Sequence, residues 1–143
     1  MAQEVLKEIG LYQDKDMIDQ DALKDINFFM GDMNFRIKKT FSEFAPYVEE
    51  APIYVEQLDQ LYELMKYGGK FPGYKESKIT FWPTYKRTKE SNVFINKNEQ
   101  CPSYTDRILF KNNSNCEFTI YNYNAHEEYF GSDHRPVYLH MGL

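Results

Sequence analysis

The stretch INFFMGDMNFRI, residues 26–37, decides the fold. Its first five residues are mostly apolar and predict a buried strand, and Asp32, Asn34 and Arg36 follow almost at once. Gly-Asp at the end of a strand is a turn signal, and Asn tolerates the dihedral angles of turns. The alternative is a functional edge, because ligands in open α/β sheets collect beyond the ends of strands. This motif alone leaves both interpretations open.

The composition of the chain limits the kinds of protein that it can be. Its 143 residues are enough for one domain with a hydrophobic core, and 42% hydrophobic content is typical of a globular protein. The formal net charge of −5 argues against broad nucleic-acid binding, which needs a basic surface. Cys101 and Cys116 lack metal-ligand spacing, so we expect free thiols in a reducing compartment. The sequence shows no signal peptide and no apolar run of transmembrane length, and we expect a cytoplasmic protein.

Helical patterns come first along the chain and strand patterns later, which favours a mixed α/β sandwich over an alternating parallel fold. The clearest helix is 53–69, where apolar residues recur every three or four positions and two glycines supply a stop. Thr40 or Ser42 can cap a shorter helix that ends by Pro52, and residues 3–9 predict another. Strands are expected at 26–30, 79–82, 104–111, 116–124 and 134–143, with an Asn-rich turn at 112–115.

Four polar clusters carry candidate chemistry: GDMNFR, PTYKR, PSYTDRIL and GSDHRPV. Each cluster alone is more often a turn or a structural ion pair, but together they form a reactive set. Asp32 can accept a proton from water. His134 can lie over a phosphate if a carboxylate such as Asp106 fixes its tautomer.

The remaining polar side chains suit a phosphorylated substrate. Asp133 can bind a hard divalent cation, which prefers oxygen ligands. Asn34 can hold a phosphate oxygen or the attacking water, and Lys86 and Arg107 can neutralise anionic oxygens. Neither cysteine lies in an electropositive motif, so the pattern indicates no cysteine nucleophile. The set predicts metal-assisted hydrolysis of a phosphate ester by water.

Six segments follow one another in a characteristic order: GDMNFRI (31–37), DQL (59–61), FPGYKE (71–76), ITFWPTYK (79–86), PSYTDRIL (102–109) and SDHRPV (132–137). Together they resemble the C-terminal half of an inositol polyphosphate 5-phosphatase catalytic domain, in the endonuclease/exonuclease/phosphatase superfamily. The similarity begins near residue 26, and we interpret residues 1–143 as the C-terminal part of such a domain. PTYK and DQL distinguish these phosphatases from their nuclease relatives, so no nucleic-acid partner is expected.

The resemblance implies a fold and a reaction. The fold is α/β, half of a four-layered, deoxyribonuclease-like sandwich, with a mixed, mostly antiparallel sheet and flanking helices. The reaction is Mg²⁺-dependent hydrolysis of the 5-phosphate of phosphoinositide lipid head groups or soluble inositol phosphates, with peripheral membrane contact for a lipid substrate. The N-terminal half of the domain, which carries the glutamate and asparagine that bind Mg²⁺, is expected outside these 143 residues.

The resemblance also implies roles for matching residues. Asp32 resembles the carboxylate that activates water, and Asn34 resembles the amide that places the scissile phosphate. His134 resembles the histidine that contacts this phosphate, with Asp106 as its orienting partner. Three further residues match the substrate and metal positions: Tyr85 and Lys86 at the 4-phosphate, and Asp133 beside the metal.

One segment departs from the family pattern. Glu99 and Gln100 stand where the family places basic residues that bind the 4-phosphate, and we expect Glu99 to repel phosphate. The preference for a 4-phosphorylated substrate is therefore open. The alternative function is a catalytically inactive module that binds a phosphoinositide or a protein through its residual phosphate pocket.

Overall fold

Two antiparallel strand pairs form the β structure of the computed structural model, which describes residues 25–143. The four strands are β1 (Ile26–Asp32), β2 (Asp106–Asn112), β3 (Thr119–Ala125) and β4 (Val137–Gly142). β1 pairs with β2, and β3 pairs with β4. The described chain is therefore α/β with antiparallel sheets, as the sequence predicts, and none of its described strands pairs in parallel.

The strands differ from the prediction in two places. The stretch 79–82 is not a strand, although Ile79 and Phe81 are buried. Pro83 follows at once and has no N–H to donate to a ladder, so this prediction is wrong. β2 and β3 also do not pair with each other across the Asn-rich turn, since β2 pairs with β1 and β3 pairs with β4.

The helical segments lie between β1 and β2: α1 (Phe41–Phe44), a 3₁₀ helix (Ala45–Glu50), α2 (Ala51–Leu58) and α3 (Gln60–Lys66). Thr40 caps α1 in a reciprocal capping box. Its Oγ1 accepts a hydrogen bond from the Glu43 N–H at 3.3 Å, and the Glu43 carboxylate accepts one from the Thr40 N–H at 2.9 Å. The predicted cap at Thr40 is confirmed. The helix predicted at 3–9 lies outside the described residues.

The single helix predicted over 53–69 is in fact two helices that meet at Asp59. Asp59 has φ −80° and ψ 128°, an extended conformation that interrupts the helix. Its Oδ2 accepts a hydrogen bond from the Tyr62 N–H at 2.8 Å and caps α3. Val55 and Leu61 are buried on either side of the break. The apolar repeat therefore predicted the buried face correctly and missed the interruption.

Two clusters of buried side chains form the core on the two faces of β2. Ile108 belongs to the larger cluster and Leu109 to the smaller one, because successive side chains of a strand point to opposite faces. The larger cluster contains Ile37, Phe44, Ala51, Val55, Ile79, Phe81, Cys101, Tyr104, Ile108, Tyr123 and Ala125. The smaller one contains Leu61, Phe71 and Leu109. β2 is thus the central element of the described structure, and its first residue enters the site described below.

Some large apolar side chains remain exposed. Met30 on β1 is 59% exposed and Phe28 is 37% exposed. Trp82, the only tryptophan of the chain, is 38% exposed and lies just before the PTYK segment. Within residues 25–143, no helix combines the length and apolar character needed to cross a membrane.

Candidate active site

The register of the first strand pair brings two carboxylates together. Asp32 ends β1 and Asp106 begins β2, and the two residues are direct partners in the antiparallel ladder. Gly31 has φ 135°, a conformation that favours glycine, so the residue just before Asp32 suits its position. A regular strand pair therefore supports both side chains on a rigid base.

His134 lies between these two carboxylates. Its Nδ1 is 2.8 Å from Oδ2 of Asp106, and its Nε2 is 3.8 Å from Oδ2 of Asp32. An ionised carboxylate only accepts hydrogen bonds, so Nδ1 donates to Asp106 and Nε2 faces Asp32. The structure thus brings together three residues that the sequence assigned to one site. Their catalytic roles stay predictions.

Two threonines hold Asp106 in this position. Thr84 Oγ1 donates to Oδ2 of Asp106 at 2.6 Å, and Thr105 Oγ1 donates to the same oxygen at 2.9 Å. Both threonines are fully buried. The sequence analysis missed them, although each immediately precedes a predicted site residue. With the imidazole, they give this one oxygen three hydrogen-bond donors, which fixes the Asp106 carboxylate.

The PTYK segment packs along the histidine loop. The rings of Tyr85 and His134 lie 4.4 Å apart with an interplanar angle of 31°. The Arg87 N–H donates to the Asp133 carbonyl at 2.9 Å and ties the two loops together. Nζ of Lys86 is 3.8 Å from Oδ2 of Asp133. Tyr85, Lys86 and Asp133 therefore lie beside the imidazole, and their assignment to the substrate and metal positions stays a prediction.

Asn34 lies just beyond β1 in a left-handed conformation with φ 59°. Its backbone N–H donates to Oδ1 of Asp32 at 2.9 Å, which closes a short turn of the chain. Its side-chain oxygen accepts a hydrogen bond from Nη2 of Arg36. The Arg36 guanidinium in turn lies over the Tyr85 ring, 4.8 Å from its centroid. The sequence analysis noted Arg36 in the motif and assigned it no role.

Arg107 does not belong to the site, which corrects the sequence interpretation. Its guanidinium makes bidentate contacts with Asp59, at 2.8 and 2.9 Å, and with Glu76, at 2.8 and 2.7 Å. Burial acts to lower the pKa of Arg107, but hydrogen bonds and charges from Glu76 and Asp59 outweigh it and raise the pKa. Its charge is already compensated by two carboxylates, so Arg107 is a buried structural cation.

Glu99 has local partners of its own. Oε2 of Glu99 accepts hydrogen bonds from the Ser42 N–H and hydroxyl, and Oε1 accepts one from Asn96. These contacts from Asn96 and Ser42 lower the pKa of Glu99, so the carboxylate stays charged. Gln100 forms a bridge with Thr40 at the start of α1. Glu99 thus attaches this loop to α1, and the expected repulsion of phosphate stays a prediction.

Residues 1–140 match the family model for Endonuclease/Exonuclease/phosphatase family 2. The chain belongs to this family. Several of its curated relatives are named as inositol phosphate or phosphoinositide 5-phosphatases. Inositol-1,4,5-trisphosphate 5-phosphatase 1 of Schizosaccharomyces pombe is 34% identical over 116 residues, covering 80% of this chain and 10% of the relative. Type IV inositol polyphosphate 5-phosphatase 11 of Arabidopsis thaliana is 31% identical over 119 residues, covering 80% of this chain and 36% of the relative.

Solved structures of two kinds share the fold of this family member. The inositol polyphosphate 5-phosphatase domain of SPsynaptojanin, in complex with inositol (1,4)-bisphosphate and calcium, matches with TM-score 0.71 and 34% identity. The matched region covers 82% of this chain and 34% of the SPsynaptojanin chain. A Cimex nitrophorin, solved as a ferrous NO complex, matches with TM-score 0.71 and 29% identity, covering 86% of this chain and 42% of the nitrophorin. The chain therefore spans less than half the length of these relatives.

In this endonuclease/exonuclease/phosphatase chain, the described residues include a compact set of potential metal ligands. Asp32, Asp106 and His134 each offer one ligand atom, and these atoms lie within 4.8 Å of one another. Asp133 flanks the set, with Oδ1 4.0 Å from Nε2 of His134. Carboxylate oxygens are the donors that a hard cation prefers. Because Oδ2 of Asp106 already accepts three hydrogen bonds, Asp32 and Asp133 are the better candidates to bind such a cation.

Proposed function

We propose that this chain is the C-terminal part of an inositol polyphosphate 5-phosphatase catalytic domain. The reaction is hydrolysis of the 5-phosphate of phosphoinositide head groups or soluble inositol polyphosphates by metal-assisted attack of water. The observation that supports it most directly is the array in which His134 lies between Asp106 and Asp32. The family membership and the 5-phosphatase relatives support the same reaction class.

The array suits general acid–base chemistry at a phosphate. Asp32 is half exposed at the end of its strand and accepts a proton from the attacking water. His134 directs Nε2 to the scissile phosphate, and Asp106 orients the imidazole through its hydrogen bond with Nδ1. The Asn34 amide donates to a phosphate oxygen. Each of these groups acts on charge that develops at the phosphate in the transition state.

We propose Mg²⁺ as the cofactor, with Asp133 as its ligand within the described residues and Asp32 as the general base. A bound Mg²⁺ would polarise the phosphate and neutralise its developing charge. Mg²⁺ is commonly bound through one or two carboxylates together with substrate phosphates, and this donor set fits that pattern. The calcium ion in the SPsynaptojanin complex supports a divalent cation in related domains.

Tyr85 and Lys86 are the proposed contacts for the neighbouring 4-phosphate. The Lys86 ammonium lies 3.8 Å from the Asp133 carboxylate and is therefore held at the edge of the candidate site. The SPsynaptojanin domain was solved with inositol (1,4)-bisphosphate, which supports a phosphorylated inositol ring as the ligand class. We also propose a cytoplasmic location, with peripheral membrane contact when the substrate is a lipid.

The full four-layered sandwich, and the remaining cation ligands, are proposed to need a longer chain than these 143 residues. The chain covers only 34% of the SPsynaptojanin chain that it matches. Met30 and Phe28 on β1 are exposed in the described structure, as expected of a sheet face that packs on a further layer.

The test is a chimera in which residues 26–143 replace the aligned segment of the S. pombe 5-phosphatase. We expect Mg²⁺-dependent release of phosphate from inositol 1,4,5-trisphosphate or from phosphatidylinositol 4,5-bisphosphate in micelles. Asp32→Asn should lower kcat by about 10²–10⁴-fold, the range for a general base. The matched control is Glu117→Gln, an exposed carboxylate outside the site, which should retain full activity.

Three results would contradict the proposal. A folded chimera that binds inositol phosphates and releases no phosphate would identify an inactive binding module. Phosphate release that survives in Asp32→Asn would remove the assigned general base. Cleavage of DNA with no action on inositol phosphates would indicate a nuclease. Head-group binding by the 143-residue chain, measured by calorimetry, provides a readout if the chimera does not fold.

A further inference from the structure

Arg36 contacts two residues of the candidate site at once. Its Nη2 donates to the side-chain oxygen of Asn34, and its guanidinium lies over the Tyr85 ring, 4.8 Å from the centroid. The same Tyr85 ring also packs on the imidazole, with its centroid 4.4 Å from that of His134. One guanidinium therefore connects the amide at the end of β1 with the aromatic ring that supports the histidine.

The contact with Asn34 has a directional consequence. A guanidinium only donates hydrogen bonds, so the amide must turn its oxygen towards Arg36. This orientation directs the Asn34 NH₂ group away from Arg36, where it can donate. Phosphate oxygens are acceptors, so an amide that presents its NH₂ group binds phosphate, and one that presents its oxygen repels it. Arg36 thus determines which end of the amide faces the substrate.

The contact with Tyr85 restrains the histidine. Guanidinium and aromatic planes attract each other, and a lysine cannot reproduce the planar contact. Tyr85 is held on one side by Arg36 and packs on His134 with a tilt of 31°. A displaced Tyr85 would free the imidazole to rotate about its hydrogen bond to Asp106.

The main chain of Arg36 is itself anchored at the break between α2 and α3. Its N–H donates to Oε1 of Gln60 at 3.3 Å, and its carbonyl accepts from the Gln60 N–H at 3.0 Å. Nη1 of Arg36 is buried and makes no hydrogen bond with any described residue. An unpaired buried donor costs stability, so hydrogen bonding alone does not explain the position of this side chain.

We propose that Arg36 is a positioning residue, which orients the Asn34 amide towards the scissile phosphate and holds Tyr85 against His134. This inference rests on the proposed phosphatase function and adds a residue to it. Arg36 acts only through these neighbours and does not itself touch the substrate. Its effect should therefore appear in the catalytic rate more than in substrate affinity.

The kinetic test is a double-mutant cycle in the chimera. Arg36→Lys should lower kcat by about 10²-fold, the cost of a misplaced catalytic group, and leave KM unchanged. In an Asn34→Ala background the same change should cost much less, because part of its effect passes through the missing amide. Additive effects of the two substitutions, or a rise in KM alone, would overturn the proposal. Lys39→Met is the matched control, since it removes an exposed cation three residues away.

A second readout does not depend on activity. In the ¹⁵N-labelled 143-residue chain, titration with inositol 1,4,5-trisphosphate in the presence of EDTA should shift the Asn34 NH₂ resonances of the unsubstituted protein, because this probe carries the 5-phosphate. Arg36→Lys should abolish this shift and move the His134 ring signals, which feel the stacked Tyr85. If Arg36→Lys leaves the Asn34 titration shift and the His134 ring signals as they are in the unsubstituted protein, the role of Arg36 is refuted, even in an active enzyme. If the unsubstituted 143-residue chain shows these signals and the folded chimera releases no phosphate, the proposed function is refuted instead.

Discussion

At the scale of single residues, the two carboxylates beside His134 occupy different environments. Asp106 has a side chain that is 19% exposed and receives hydroxyl hydrogen bonds from Thr84 and Thr105, whereas Asp32 is 51% exposed. Two carboxylates with different surroundings can have different roles in one reaction. The fixed Asp106 suits the orientation of the imidazole, and the accessible Asp32 suits reaction with water.

The first prediction concerns Asp106. Asp106→Asn replaces an acceptor with an amide that can donate to Nδ1, so His134 should adopt the opposite tautomer. We expect kcat to fall by about 10²–10⁴-fold, the contribution of a general acid–base group. ¹⁵N shifts of the His134 ring should reverse the assignment of protonated and unprotonated nitrogens. Retention of the wild-type tautomer together with wild-type activity would contradict the orienting role.

The second prediction concerns the two cysteines. Burial raises the pKa of the Cys101 thiol to about 12, with a smaller contribution from the charge of Glu43, and its side chain is 5% exposed. The thiolate is the reactive form, so Cys101 should not react near neutral pH, whereas exposed Cys116 should. A thiol reagent at pH 8 should therefore modify one cysteine in the folded chain and both in denaturant. Modification of both in the folded protein would contradict the packing around Cys101.

Sequence reasoning grouped residues whose chemistry is visible in their type, and the structure places three of them together. Asp32, Asp106 and His134 were grouped because carboxylates and an imidazole can share proton-transfer chemistry. Thr84 was missed because its contact with Asp106 spans 22 residues and a hydroxyl has no distinctive spacing. Arg107 was misassigned because a motif shows that a cation is present and does not show which carboxylates surround it.

At the scale of elements, the break at Asp59 joins the helices to β2. The Asp59 side chain caps α3 and makes two hydrogen bonds with the Arg107 guanidinium, while being 1% exposed. The apolar period of residues 53–69 continues through the break, so hydrophobic patterning could not detect it. The decisive interaction comes from a strand 48 residues away, which local propensity does not contain.

The third prediction tests this junction. Asp59→Asn removes one of the two carboxylates around the buried Arg107, while Glu76 still compensates its charge. We expect the free energy of unfolding to fall by about 1.5–3 kcal/mol, the range for hydrogen bonds to charged groups. The matched control is Glu63→Gln, which removes a carboxylate from the exposed pair with Lys38 and should cost less than about 1 kcal/mol. Denaturant unfolding of both variants measures the difference. Equal losses would show that the Asp59 contact contributes no more than a surface ion pair.

At the scale of the whole molecule, the fold does not determine the chemistry. The structure matches both a 5-phosphatase domain and a nitrophorin with TM-score 0.71. Function depends on the residues that a fold presents, and unrelated activities can share one architecture. The argument for phosphate chemistry therefore depends on Asp32, Asp106 and His134 and would not follow from the α/β architecture alone.

The fourth prediction concerns the cation. EDTA should abolish phosphate release by the chimera, and Mg²⁺ should restore it. Mg²⁺ should also raise the Tm of the protein, because a ligand that binds only the folded state stabilises it. Asp133→Asn should reduce this rise in Tm, and Glu117→Gln should not. A Tm that responds equally in both variants would place the bound cation elsewhere.

Trp82 gives the protein an internal optical probe. It is the only tryptophan, it is partly open to solvent, and only Pro83 and Thr84 separate it from Tyr85, whose ring stacks on His134. Fluorescence excited at the red edge of the absorption band would come from this single indole, without any added label. The emission maximum and the quenching of Trp82 would therefore report in real time how the surroundings of the PTYK segment change as substrate binds and leaves.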